Sequence, residues 1–182
     1  ILEFIKSEIG CEHKIQTIKR IASYSSSKQI HHNRFCISDK QINHDLMMLG
    51  VEPNKSLTMG NIINNIPHEY RDSFIIGYFD GDGSVSKNNT VKEKFNKTEG
   101  IMKKYPCYNL SVSLRGTFDF LEGICDHLGI SDSFVRQYDS IPSLTFANKK
   151  DVLRFFKCYK NLDFYLERKH NVFLERINHP SY

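Results

Sequence analysis

Apolar residues recur at helical spacing along several stretches of the chain. In the opening ILEFIKSEIG, Leu2, Ile5 and Ile9 share one helical face, and Gly10 follows as a C-terminal stop. The stretch FLEGICDHLG at 120–129 repeats this plan, with Leu121, Ile124, Leu128 and Gly129 aligning with Leu2, Ile5, Ile9 and Gly10. Each is followed by a polar, β-leaning stretch and then by a further helix. Those later helices are SDKQINHDLMML near residue 40 and NKKDVLRFFKCY near residue 150. The shared order of elements reads as an internal repeat.

The second copy carries more in front of its helix. The pattern predicts a helix from Pro67 to about Asp82, a strand around Ser84, a basic loop, and a strand over YNLSVSLR at 108–115. In that strand Leu110, Val112 and Leu114 alternate with Ser111, Ser113 and Arg115, so one face is apolar and the other polar. Strands near 134–138 and 143–146 and helices near 149–159 and 164–177 complete an order α-β-β-α-β-β-α with one further helix. A sheet with helices on one face and a polar, basic opposite face suits a surface that reads a nucleic-acid groove. The alignment leaves roughly fifty residues, the equivalent of 67–119, without a counterpart in the first copy. Residues 1–63 therefore read as the C-terminal part of a first unit and 64–182 as a complete second unit. The chain is expected to be a fragment of a longer product.

Composition narrows the class. Of 182 residues, 40% are hydrophobic and 25% charged, a globular balance with enough apolar matter for a core. No apolar run is long enough for a bilayer, and the first residues read as an amphipathic helix carrying Glu3, Lys6 and Glu8, with no signal peptide visible, so no membrane partner is expected. The five cysteines lack any C-x-x-C pair, which argues against a disulfide framework and a thiolate zinc site. They fit a reducing intracellular setting, the cytoplasm or an organelle. The net charge of +4 is modest, but its placement is informative. Lys87, Lys92, Lys94, Lys97, Lys103 and Lys104 stand against only Glu93 and Glu99, an excess equal to that of the whole chain. Such a segment is suited to phosphates.

The chemistry concentrates in PHEYRDSFIIGYFDGDGSV at 67–85. Asn64 or Asn65 can cap this helix and Pro67 suits its first turn. Ser73, Gly77 and Gly81 recur every four residues and place three small side chains on one face. A glycine inside a helix costs about 1 kcal/mol relative to alanine, so the pair points to close approach by a second helix. Asp80 and Asp82 fall at the C-terminal end, where the helix dipole disfavours negative charge. Alone, D-G-D-G is a turn sequence. Joined to a small-faced helix, it predicts that acids from two units meet, and clustered carboxylates hold Mg²⁺.

IIGYFDGDG at 75–83 resembles the motif of the LAGLIDADG homing endonuclease family, with glycine third, aspartate sixth and eighth, and glycine ninth. The order of elements resembles that family's αββαββα unit over nearly the whole chain. The resemblance implies an α+β fold with saddle-shaped antiparallel sheets, and an endonuclease that cuts both strands of a specific DNA site. It implies Asp82 as the acid that coordinates Mg²⁺ (or Mn²⁺), with Gly81 beside it. Ser73, Gly77, Gly81 and Asp80 are implied at the helix interface. FYLERK at 164–169 resembles the segment carrying the family's lysine near the attacking water, so Lys169 is its candidate. Lys55, in GVEPNKS, looks like its counterpart in the first unit.

Double-stranded DNA is the partner so implied. Ser111, Ser113, Arg115, Arg136 and Gln137 are expected to meet bases or phosphates, and the six lysines from Lys87 to Lys104 to meet the backbone. The sequence departs from the family in showing only one motif, preceded by half a unit. The second motif helix is expected from missing upstream sequence or from another chain. A non-cleaving DNA-binding regulator and an intron RNA-splicing cofactor on the same fold are the alternative readings. His31-His32-Asn33 lacks the surroundings of an H-N-H nuclease, and His170-Asn171 is followed by Val172, so no intein splicing is expected.

Overall fold

The computed structural model describes residues 2–21, 29–51, 53, 55–131, 134–138 and 140–179. By its contacts the chain divides into two compact units, Ile1–His44 and Asp45–Tyr182.

The first unit holds helix α1 (Leu2–Glu8), the antiparallel hairpin β1 (Gln16–Ile21) and β2 (Gln29–Arg34), and the start of α2 (Lys40–Met48). Gly10 follows α1 in the left-handed conformation (φ 60°), and the N–H groups of Gly10 and Cys11 donate back to the carbonyls of Ser7 and Lys6. Only glycine takes this conformation without strain, which explains the residue at this place.

After α2 the second unit continues with α3 (Lys55–Thr58), two short 3₁₀ turns and α4 (Arg71–Asp82). Then come β3 (Ser84–Asn96), β4 (Ile101–Arg115), α5 (Phe118–Leu128), β5 (Val135–Tyr138), β6 (Ile141–Phe146), α6 (Lys149–Lys157) and α7 (Glu167–Ile177). This is the αββαββα order with a final helix that the periodicity predicts. α5 is capped by the Thr117 side chain and ends on Gly129 at φ 63°, with backward hydrogen bonds to Asp126 and Cys125. The sequence Leu2–Met48 and the sequence Phe118–Lys157 thus both run helix, left-handed glycine, hairpin, helix.

The four strands form one antiparallel sheet in the order β3-β4-β6-β5. Leu110, Val112 and Leu114 of β4 and Leu144 and Phe146 of β6 are buried under α5, α6 and α7. Phe120, Leu121 and Ile124 come from α5, Val152 and Phe155 from α6, and Phe173 from α7. Each such side chain removed from water stabilises the fold by about 1.5–3 kcal/mol. All helices of this core lie on one face of the sheet, which leaves the other polar.

The basic stretch expected to be a loop is instead the arm of a long hairpin. β3 and β4 pair without interruption from Ser84↔Ser113 to Asn96↔Ile101, and only residues 97–100 turn. The reason lies in residue types that alternate with the lysines: Thr90, Val91, Phe95 and Tyr105 favour strands. Opposite charges support the pairing, with Glu93 beside Lys104 at 3.4 Å and Lys103 beside Glu99 at 2.6 Å. β3 is also an edge strand, where lysines guard against unwanted pairing.

Candidate metal centre and nucleic-acid interface

α4 has two distinct sides. Ile75, Ile76, Tyr78 and Phe79 are buried in the core, and the Phe79 ring meets Phe155 and Phe173. Ser73, Gly77 and Gly81 are exposed, and a Cβ placed on either glycine would meet no atom within 4 Å. Nothing inside the described residues therefore requires glycine there. An apolar pocket of about 440 Å³, lined by Leu46, Leu49, Ile62, Ile66 and Phe74, continues this open face at Ser73.

Asp80 does not share that face. It is only 8% exposed, and its carboxylate accepts the Leu166 N–H at 2.7 Å, just before α7 begins. Burial raises its pKa, opposed by that hydrogen bond and then by the charges of Lys169, Arg168 and His170. Its second oxygen is buried without a hydrogen-bond partner.

Lys169 closes the same junction from the other direction. It is 5% exposed, and its ammonium donates to the carbonyl oxygens of Phe79 (2.5 Å), Asp80 (3.0 Å) and Gly83 (2.6 Å). The ammonium also sits 4.6 Å from the centre of the Phe79 ring. A cation satisfying the last carbonyls of α4 offsets the unfavourable placement of two acids at that end. Burial lowers the Lys169 pKa, helped by Arg168, while Asp80 and Asp82 push it upward.

Gly83 ends α4 with extended φ/ψ of −82° and 169°. A Cβ there would collide with the Phe79 ring and stand 2.8 Å from the Phe79 carbonyl oxygen. The glycine lets the chain leave the helix tightly and enter β3. Asp82, the last helical residue, is exposed at this exit. The Tyr78 hydroxyl donates to the Arg115 carbonyl at 2.6 Å, tying α4 to the end of β4. Burial and then the charge of Asp82 push the Tyr78 pKa up to about 12.

A pocket of about 210 Å³ lies at the α4–β3 junction, lined by Gly81, Gly83, Ser84, Val85, Arg168, Lys169 and Val172. Nothing in the sequence singles out Arg168, although it stands beside Lys169 in the same segment. A run of charges along a helix does not reveal which of them turns inward.

Strand register sorts the other candidates. Ser111, Ser113 and Arg115 lie on the face away from the core, opposite Ser86, Ser84 and Ser143. Ser143 also pairs with Arg136, so Arg115, Ser143 and Arg136 form one row across three strands. The Ser113 hydroxyl is within 3.2 Å of that of Ser143 and 3.0 Å of that of Thr145. Gln137 pairs with Pro142 and has the opposite parity to Arg136.

The six lysines divide as well. Lys92, Lys94 and Lys103 share the polar face, with Lys94 directly opposite Lys103, and Lys97 is in the turn. Lys87 and Lys104 have the other parity. Lys87 donates to Glu175 of α7 at 2.6 Å, and Arg176 reaches Asn89 of β3 at 2.7 Å. Lys55 opens α3, and its side chain lies outside the described residues.

Among the described residues, no group of three histidines, cysteines or acids is placed to hold a metal ion. Asp82 offers one exposed carboxylate, and the carbonyls that Lys169 takes do not include that of Gly81. This donor set fits half of a divalent-ion site, because Mg²⁺ needs one or two protein carboxylates together with phosphate and water oxygens. No described helix is long and apolar enough to cross a membrane.

A small-faced helix ending in an exposed acid, set on an αββαββα unit with a polar open sheet face, defines a LAGLIDADG-like α+β fold. Residues 69–158 match the family model described as the LAGLIDADG-like domain, so this part of the chain is a LAGLIDADG-family domain. No curated protein matches the chain.

Among solved structures, it is similar to the homing endonuclease I-CvuI in complex with an I-CreI target, at 13% identity and a TM-score of 0.39. That match covers 50% of this chain and 55% of the other. It is similar to the archaeal intron-encoded homing endonuclease I-Vdi141I complexed with DNA at 18% identity and a TM-score of 0.41, covering 61% and 67%. A third, the homing endonuclease I-TnaI, stands at 14% identity and a TM-score of 0.39, covering 59% and 76%. The chain thus spans little more than half the length of the first of these.

Proposed function

We propose that this chain is part of a site-specific double-strand DNA endonuclease that hydrolyses phosphodiester bonds with a divalent metal ion. The observation that carries the reading is the placement of Asp82. It is exposed at the end of a helix whose small face is open, where the chain enters the polar face of the sheet. An acid is a poor choice beside phosphates unless a cation joins them.

A second motif helix, from upstream sequence or another chain, packs on Ser73, Gly77 and Gly81 and brings its own acid beside Asp82. The Asp82 carboxylate and the Gly81 carbonyl would hold Mg²⁺ or Mn²⁺ with that acid. The ion would neutralise charge on the attacking and leaving oxygens of the phosphate. Lys169 acts through the helix end, holding it rigid from beneath, and so counts as a positioning residue. Sequence pattern alone makes Lys55 its counterpart in the first unit.

Residues 1–63 form the C-terminal part of that first unit, a reading supported by the helix–glycine–hairpin–helix order shared with residues 118–157. DNA lies along the polar sheet face. Arg115 and Arg136 suit bidentate contacts to guanine, and Lys92, Lys94 and Lys103 neutralise phosphates.

The test compares the full-length protein with its Asp82→Asn variant on a pool of DNA duplexes. The wild type is expected to bind duplex and to cut it only with Mg²⁺ or Mn²⁺. The variant keeps DNA affinity within about threefold, as expected when no phosphate-neutralising cation is removed, and loses cleavage. Unchanged cleavage by the variant would overturn the assignment of Asp82, and a wild type that binds no duplex would overturn the reading itself.

A further inference from the structure

We propose that Arg168 is the side chain that grips a DNA backbone phosphate at the acidic end of α4. The inference rests on the endonuclease reading above and adds to it a cation that neither the motif nor the family match assigns.

Lys169 cannot be that cation. An ammonium has three N–H donors. The Lys169 ammonium directs its donors to three backbone carbonyls, and the side chain is almost wholly buried. It cannot reach outward to a phosphate without releasing the end of α4 that carries Asp82. A phosphate drawn against an exposed carboxylate nevertheless needs positive charge on the protein side.

Arg168 supplies it from one residue away. It is exposed, it lines the pocket at the α4–β3 junction, and no described side chain forms a hydrogen bond or ion pair with it. Its charge is nonetheless felt at this helix end, since it acts on both Asp80 and Lys169. Asp80, whose charge it feels, is buried and holds the Leu166 N–H.

Beside its two valines the pocket also offers polar lining to an oxyanion. Gly81 and Gly83 contribute backbone without side chains, and Ser84 adds a hydroxyl-bearing residue at the first position of the reading face. A guanidinium has a planar fork of donors that matches two phosphate oxygens, which a lysine point charge cannot do.

The test measures binding of the full-length protein to duplex DNA across a salt series without divalent metal, for wild type, Arg168→Gln, Arg168→Lys and Lys157→Gln. Each lost phosphate contact lowers the slope of log affinity against log salt by about 0.9. Arg168→Gln is expected to lose about that much slope and to weaken binding several-fold on unrelated sequences alike. Arg168→Lys restores the slope, because one charge remains. Lys157, exposed at the end of α6 on the helix side of the sheet, serves as the control and leaves the slope unchanged. An Arg168→Gln protein with wild-type slope and affinity overturns the proposal while the endonuclease reading stands. Failure of the wild type itself to bind duplex overturns both.

Discussion

Asp80 and Lys169 fasten the same two helix ends in opposite directions. The Asp80 carboxylate on α4 accepts the N–H of Leu166 before α7, and the Lys169 ammonium on α7 donates to the carbonyls of Phe79, Asp80 and Gly83. The exchange satisfies donors at the start of one helix with acceptors at the end of the other, inside the protein where water cannot serve. It leaves Asp82 as the acid of the pair that faces outward.

Replacing Lys169 should therefore cost stability before it costs chemistry. Lys169→Met takes the ammonium from three carbonyls, of which that of Phe79 keeps the Gly83 N–H, and is expected to lower stability by about 3 kcal/mol, since unmet buried polar groups cost about 1–3 kcal/mol each and the helix end can partly relax. A chemical denaturation curve measures it. A variant with wild-type stability would show that the ammonium is not holding the helix end.

The glycines of the motif segment should separate cleanly by substitution. Gly77→Ala meets no atom among the described residues and removes a helix-interior glycine, so the isolated chain should gain about 0.5–1 kcal/mol. Gly83→Ala meets the Phe79 ring and carbonyl and should lose about 1–3 kcal/mol. Thermal unfolding distinguishes the two. Sedimentation of the full-length protein or its complex tests the second half of the expectation, that Gly77→Leu blocks packing of the partner helix while leaving the unit folded.

The lysines of the hairpin should not contribute equally to DNA affinity. Lys94 lies on the reading face, whereas Lys87 points to the helix side and is held by Glu175. Lys94→Gln is expected to reduce the salt slope of DNA binding by about 0.9, and Lys87→Gln to leave it near the wild-type value. Equal effects would show that strand parity does not govern phosphate contact here.

His170 provides the pH dependence. Its ring stacks on Phe156 at a centroid distance of 5.3 Å and approaches Tyr165 at 4.4 Å. Burial lowers its pKa, only partly opposed by Asp80. A folded pKa below the unfolded one means that the neutral ring favours the fold. That contribution is present above the ordinary value of about 6.5 and is lost as pH falls through the lower folded value. Proton NMR should place the His170 midpoint below the ordinary value. His170→Phe should lose less stability than wild type when the pH is lowered from 7 to 5.

Much of this molecule is written locally. The 3.6-residue spacing in FLEGICDHLG, the alternation in YNLSVSLR and the glycine after each helix of the internal repeat set out the element order, because helix and strand periods and left-handed caps depend on near neighbours. The small face of α4 and its terminal acids were legible for the same reason. The basic segment reads as a loop in the sequence because lysine content marks exposure, and exposure is shared by loops and by the edge strands of hairpins. Strand pairing then decided which lysines face the open side: a residue's parity follows from its partner on β4, so Lys94 reads outward and Lys87 does not.

Tertiary structure alone also set Asp80 apart from Asp82, two residues away, and turned Lys169 inward while leaving Arg168 at the surface. The physical reason is common to both cases. A charged side chain is buried only where the fold supplies its hydrogen-bond partners, and those partners come from residues nearly ninety positions away, which no local pattern contains.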